Sequence, residues 1–283
     1  MTLRLTFRDK CPTVCWQKQL RDKFNSEGVP PVPHLDIGKA MVRPISRNIA
    51  KQVIFKYEWL GTMAPTSQHF GLFFGSFCAG VTCVAIGNGC GGAYVHRKFE
   101  IEHNELAVLA RGACVHWAPK GSNSKLVAYT SRLIASKKKT KIIMAFSDTE
   151  AGEVGTIYQA CGWVFIGTGA IIDQWVSPFG KLMNNKVTSD LAKRKGGTNA
   201  QWTKRLLSDG WTRQKTNAKG RYVYILDRTD KRLIDKVEAM RQPYPKRGTG
   251  ETDNAAHSHA QTGGASPTVP LLNHGSQAQA NAE

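Results

Sequence analysis

Three observations predict an α/β fold. Strand-type and helix-type segments alternate between residues 106 and 167, short apolar runs are bounded by glycine, and two stretches repeat apolar residues every three or four positions. In chain order, residues 1–37 end in Gly28-Val29-Pro30-Pro31-Val32-Pro33, where the prolines fix an extended path; an arm or linker is expected ahead of a folded region over 38–241. From Pro44 to Leu60, Ile45, Ile49, Val53, Ile54, Tyr57 and Leu60 share one helical face, with Ser46 as cap and Gly61 as terminator. Phe70 to Phe74 and Val81 to Ile86 read as an antiparallel ribbon, and Leu106 to Val115 as a further strand. Ser122-Asn123-Ser124 offers helix caps ahead of the face Leu126, Val127, Thr130, Leu133 and Ile134. Ile142 to Phe146 is uninterrupted and apolar, as at the centre of a sheet; Gly155 to Cys161 is a short helix closed by Gly162, and Trp163 to Gly167 returns as a strand. Asn199 to Ser208 predicts another short helix, and Tyr222 to Leu226 a last strand. The tail, 242–283, holds almost no large apolar residue and is expected to stay disordered.

The 283 residues are 41% hydrophobic and 21% charged, so the chain should bury a core, and a wholly disordered or fibrous protein is excluded. Its formal net charge of +18 concentrates polyanions, and nucleic acid is the first partner to expect. Eleven of its Lys and Arg residues, against two Asp, fall between Lys181 and Arg221, interleaved with Trp202 and Trp211. Such a segment can neutralise phosphates and stack bases, or be a small packed subdomain with a solvated exterior. Phe70 to Val95 carries no charge, yet its glycines suit strands and turns rather than a membrane span. Seven cysteines without a regular framework fit a reducing, intracellular setting and no structural zinc.

Lys120-Gly121-Ser122-Asn123-Ser124-Lys125 is a glycine turn leading into a helix. Open amides there attract an anion, and Lys125 in the first turn opposes the helix dipole unless one binds. An ordinary capped helix is the alternative. Gly87, Gly89 and Gly92 spell a dinucleotide-type pattern, but Ala93-Tyr94-Val95-His96 does not read as the helix it requires, and a hairpin turn is expected instead. Asp148 ends a strand at the edge where open sheets hold ligands, with Tyr158 on the following helix. Together they could move a proton or bind a metal; alternatively Asp148 caps a helix and Tyr158 packs. Glu153 reads as a surface residue.

These blocks, in this order, resemble a known family. Lys56-Tyr57-Glu58-Trp59-Leu60-Gly61, Arg111, Ala118 to Leu126, Asp148 with Gly155-Thr156-Ile157-Tyr158-Gln159-Ala160, Trp163, and Lys219-Gly220-Arg221-Tyr222-Val223-Tyr224 are similar to the phage Mom proteins. The resemblance implies an acetyltransferase-like (GNAT) mixed sheet with helices on both faces and a basic C-terminal subdomain at about 181–221. It implies an enzyme that uses acetyl-CoA to convert adenine in duplex DNA to its N6-methylcarbamoyl form, protecting phage DNA from restriction in the host cytoplasm. Asp148, Tyr158 and Arg111, with Tyr57 and Glu58, are the implied catalytic set, and Lys120, Gly121, Ser122, Asn123, Ser124 and Lys125 the cofactor turn; the charge of the basic segment, rather than the resemblance, makes Lys193, Arg194, Lys195, Lys204, Arg205, Lys219 and Arg221 the expected DNA contacts. Where relatives can carry a His-Tyr pair suspected of holding iron, this chain has Glu58-Trp59; Glu58 can ligate a metal and Trp59 cannot. An acetyltransferase acting on a protein or small amine, and an inactive DNA-binding protein on the same core, are the competing readings.

Overall fold

Among the described residues seven strands make the main sheet, in the spatial order Met41–Pro44, Gln68–Phe74, Phe77–Ile86, Leu106–Cys114, Ile142–Ser147, Gly220–Ile225 and Val164–Thr168. The computed structural model describes residues 20, 22, 23, 35–87, 93–179, 182–183 and 187–246. Strand β1 (Met41–Pro44) leads into helix α1 (Arg47–Tyr57), whose cap Ser46 accepts from the Ile49 amide as its sequence predicts. The ribbon is β2 (Gln68–Phe74) and β3 (Phe77–Ile86), so the charge-free stretch contributes sheet strands, and no described helix is long and apolar enough to cross a membrane. β3 is followed by α2 (Ala93–Phe99), which corrects the non-helical expectation for Ala93 to His96: Val95 and Phe99, four apart, bury one face in the core. This is still no dinucleotide unit, because β4 (Leu106–Cys114) runs antiparallel to β3. Gly89 and Gly92 lie outside the described residues.

Helix α3 (Ser122–Ala135) crosses over from β4 to β5 (Ile142–Ser147), and β4 and β5 form the sheet's parallel pair. The short α4 (Thr156–Ala160) leads to β6 (Val164–Thr168), and β10 (Gly220–Ile225) inserts between β5 and β6, antiparallel to both. Between β6 and β10 the chain builds a second sheet, β8-β7-β9, from β7 (Asp173–Val176), β8 (Leu182–Met183) and β9 (Thr212–Lys215), with α5 (Val187–Lys195) and α6 (Asn199–Ser208). Trp175, Val187 and Leu206 form its own small core, with Trp211 packed against them. Helix α7 (Lys231–Ala239), capped by Asp230, closes the fold.

Alternation along the strands sends side chains to two cores. Leu106, Val108, Ile142, Met144, Val164 and Val223 face Val95 and Phe99 of α2 and Leu233 and Val237 of α7. Ala107, Leu109, Ile143, Ala145, Phe165 and Tyr222 face Val127 and Ile134 of α3 together with Trp163. Helix α1 covers Val81, Cys83 and Ala113. The result is a mixed sheet with helices on both faces. Gln242 to Lys246, read from sequence as the start of the tail, run beside β6: the Gln242 amide donates to Phe165 O (2.8 Å) and Tyr244 Oη to Trp163 O (2.7 Å). Residues 247–283, and most of the arm over 1–37, lie outside the described residues.

One irregularity positions the site. The β4–β5 ladder runs from Leu106↔Ile142 to Leu109↔Ala145 and stops. Beyond it β4 follows β3 to Cys114 while β5 follows β10 to Ser147, so the two parallel strands part at their C-terminal ends. The parting starts at a bulge: Cys83 pairs with Arg111 and Val84 with Leu109, leaving Ala110 as an extra residue that bends β4 away.

Candidate active site

The turn before α3 sits at the end of β4. Gly121 is the N-cap, at φ 89°, a left-handed conformation that glycine adopts without strain. The cap donates no side chain, which corrects the expectation for Ser122 to Ser124. Instead the Ser122 amide donates to Pro119 O (3.1 Å), tightening the turn, while the Asn123 and Ser124 amides receive no acceptor among the described residues. Ser122 is 2% exposed and its Oγ has no hydrogen-bond partner there. A buried hydroxyl and two open amides at a helix start are what an anionic oxygen satisfies. Lys120 is exposed on this turn. Lys125 turns elsewhere: its Nζ donates to the carbonyls of Ile37 (2.6 Å) and Gly38 (3.3 Å), so a short turn at Ile37–Lys39 takes up the cation set against the helix dipole.

At the end of β5 the chain folds back through Asp148 to Glu153. The Ala151 and Glu153 amides donate to Asp148 O, and the Asp148 amide donates to Glu153 Oε2 (3.3 Å). Buried Ala151 packs on buried Trp59, bracing this loop against the segment after α1. Asp148 Oδ2 accepts from Lys219 Nζ at 2.6 Å, a pair joining the end of β5 to the start of β10. Glu153 is the group that sequence reasoning misplaced. It is largely enclosed, and burial, reinforced by the charges of Asp148 and Glu58 and opposed by Lys219 and the Asp148 amide, pushes its carboxyl up to about 7. The loop that carries it is held by packing of Ala151 on the distant Trp59, which no local pattern announces.

Arg111, just past the bulge, donates from Nε to Thr62 O (2.8 Å) and from Nη1 to Ala110 O (2.7 Å), with Glu58 Oε1 3.8 Å from Nε. Glu58 Oε2 accepts from the Gly61 amide (2.8 Å), so Gly61 anchors a carboxylate while the helix itself ends at Tyr57. Tyr158 packs between Trp163 and Tyr222, ring centroids 5.1 and 5.2 Å away; burial and the charge of Glu153 push its phenol up, which makes it a proton donor rather than a base at neutral pH. Asp148, Glu153, Glu58, Arg111, Lys219 and Tyr158 are thus one electrostatic cluster at the parting of β4 and β5, with Glu153 linking Asp148 to Tyr158. Tyr57 rests against His116, at 5.8 Å between ring centroids.

The residues at 57–59 do not fit an iron site. Both Glu58 oxygens face donors, the Trp59 indole packs on the carboxylate loop, and no group of three His, Cys, Asp or Glu among the described residues is placed to hold a metal ion.

The expected DNA contacts divide in two. Lys193, Arg194, Lys195, Lys204 and Arg205 are exposed on α5 and α6, and Trp202 lies between Lys195 and Arg205, 5.9 and 5.3 Å from its ring centroid. Lys219 and Arg221 belong to the main sheet, Lys219 in the carboxylate cluster and Arg221 with Nη2 donating to Ile166 O (3.3 Å). The basic module joins the main sheet through this region, since the Gly169 amide donates to Lys219 O (2.8 Å).

A model of the Mom protein family matches residues 39–246. No curated protein sequence matches the chain. Among solved structures, the chain is similar to a spermidine N-acetyltransferase from Vibrio cholerae in complex with CoA and spermine, at 10% identity, covering 70% of this chain and 99% of that one, TM-score 0.38. An N-acyl amino acid synthase from uncultured soil microbes is similar at 14% identity over 67% and 93% of the two chains, TM-score 0.38. An aminoglycoside acetyltransferase in complex with coenzyme A is similar at 11% identity over 55% and 99%, TM-score 0.37.

Proposed function

The chain belongs to the Mom protein family, and on that premise we propose that it is a DNA-modifying transferase that takes from acetyl-CoA the two-carbon unit of an N6-methylcarbamoyl group on adenine in duplex DNA, CoA leaving as its thiol while an ammonia-type co-substrate supplies the amide nitrogen and a two-electron oxidant removes the two hydrogens lost when the methyl carbon bonds to N6; the product shields the DNA from restriction. One observation carries the reading beyond family membership: the parallel strands β4 and β5 part at their C-terminal ends, with the amide turn before α3 following β4 and the Asp148–Glu153 loop following β5. The parted strands leave unpaired backbone for a pantetheine arm to bond, and the turn supplies amides and the Ser122 hydroxyl to a pyrophosphate.

The side chains present have separable tasks. Glu153, half ionised near neutral pH, takes or returns a proton; Tyr158 donates a hydrogen bond; Asp148, neutralised by Lys219, orients rather than attacks. Arg111 holds the backbone at the bulge open through Thr62 and Ala110. The basic module, with Trp202 flanked by cations, presents DNA from the side on which Lys219 enters the cluster.

The test is mass spectrometry of nucleosides from cells expressing the chain. A modified deoxyadenosine is expected, lost in Asp148→Asn and Tyr158→Phe while duplex binding stays within about two-fold. Unmodified DNA beside abundant folded protein would refute the reading. Acyl transfer to an amine of a protein or small molecule is favoured by one feature, Glu153, the carboxyl of the cluster left without a cationic partner of its own among the described residues, beside the Asp148–Lys219 and Glu58–Arg111 pairs, which can take the proton an amine loses on acylation; acetylated product with unchanged DNA would select it.

A further inference from the structure

An aromatic pair stands beside the amide turn. Phe77 opens β3 at the tip of the β2–β3 hairpin, and Trp117 lies in the link from β4 to α3. Their rings stack with centroids 4.9 Å apart and planes 25° apart. The pair adds nothing to the described cores, and Phe77 is 41% exposed. β3 runs antiparallel to β4, so its first residue lies at the edge where β4 ends and the turn begins; the Val115 amide donates to Ala79 O (2.8 Å) and fixes that register. Lys120 follows Trp117 by three residues, Gly121 by four.

Resting on the CoA reading above, we propose that the Phe77–Trp117 stack is the seat of the donor's adenine base, with the neighbouring phosphates against Lys120 and the turn. Three independent features converge on a purine nucleotide at this edge. A preformed, partly exposed stack of two rings accepts a third flat ring with no ordering cost of its own. The exposed Lys120 cation on the same link complements phosphate. The buried Ser122 hydroxyl and the Asn123 and Ser124 amides, all without partners among the described residues, complement anionic oxygens. A bare aromatic pair would suit any apolar partner, and a bare turn any anion. Together they require a ligand with a planar base at one end of a charged linkage.

The experiment is calorimetric titration of the full chain with CoA and, separately, with 4′-phosphopantetheine, which lacks the adenosine. Trp117→Ala and Phe77→Ala should weaken CoA about ten-fold and leave 4′-phosphopantetheine unchanged, while Trp117→Phe restores most of the CoA affinity. Thermal melts of each variant report folding, and the 4′-phosphopantetheine arm reports the integrity of the rest of the site. Unchanged CoA affinity in both alanine variants overturns the seat and leaves the CoA reading standing. Equal weakening of both ligands also overturns it, as does weakened duplex DNA with unaltered CoA, which would give the rings to a DNA base. A wild-type chain that binds neither titrant overturns the CoA reading itself.

Discussion

Glu153 shows how far a residue's chemistry departs from its sequence appearance. An acid after Gly152 and before Val154 reads as solvent-facing; yet it closes a loop through the Asp148 amide, and that loop packs through Ala151 on Trp59, some ninety positions earlier. Because burial raises its carboxyl from the ordinary value near 4.5 to about 7, the folded state binds more protons than the unfolded chain between those limits. Stability from this group is therefore full below about pH 4.5 and lost as pH rises through about 7. Asp148, Glu58 and Lys219 face it; the two carboxylates add to the rise that burial causes, and Lys219 opposes it. Glu153→Gln keeps the neutral form at every pH and an oxygen for the Asp148 amide. Thermal melts from pH 5 to 8 should show the variant matching wild type at the acid end and exceeding it at pH 8. A parallel decline in both proteins would rule out Glu153 as the titrating group. Asp148, by contrast, directly follows β5 as its apolar run predicts, and its pairing with Lys219 is what sequence could not show, since it spans 71 residues.

At the scale of elements, periodicity found what is amphipathic and missed what is not. Helix α1 is legible from apolar residues at helical spacing, and the β2–β3 ribbon, β4 and β5 from short apolar runs, that of β5 uninterrupted; α6 runs from Asn199 to Ser208 as predicted. β9 (Thr212–Lys215) is exposed at every position and gives no alternation to read, and β1 is nearly as exposed. Helix α7 is the exception: it is amphipathic, with Leu233, Ile234 and Val237 on one face against five charged residues, and that pattern is open to reading although no expectation covers it. Its stability comes from the partners it meets, Val95 and Phe99 of α2. Two glycines before helices separate backbone strain from crowding. Gly121, at φ 89°, has open space where a Cβ would stand; Gly155, at φ 70°, has the Tyr222 ring there. Gly121→Ala should cost about 1 kcal/mol and Gly155→Ala roughly 2–4 kcal/mol. Denaturant melts check the order, and equal costs would mean the Tyr222 ring moves aside freely.

Across the whole molecule, charge and topology divide the labour. Half of the +18 net charge falls in residues 181–221, on a module with its own three-stranded sheet and its own small core. Neutralising Lys193, Arg194 and Lys195 together should lower duplex affinity and flatten the log–log salt slope by about three, measured by fluorescence anisotropy against salt. An unaltered slope would move the DNA contact to another face. The basic segment is plain in composition; that it is a module inserted between β6 and β10 is not, because the strand pairing that makes it one joins residues from 168 to 220 across the main sheet. That insertion also orders assembly. β10 bonds to β5 on one side and β6 on the other, and Lys219 lies at its leading end. A ribosome that has synthesised only as far as the basic module has therefore produced two unsealed β edges and a carboxylate loop lacking its lysine. Closing the sheet and giving the carboxylate loop its lysine both await β10, so a nascent chain carries its basic module before the charge cluster at the end of β5 is complete.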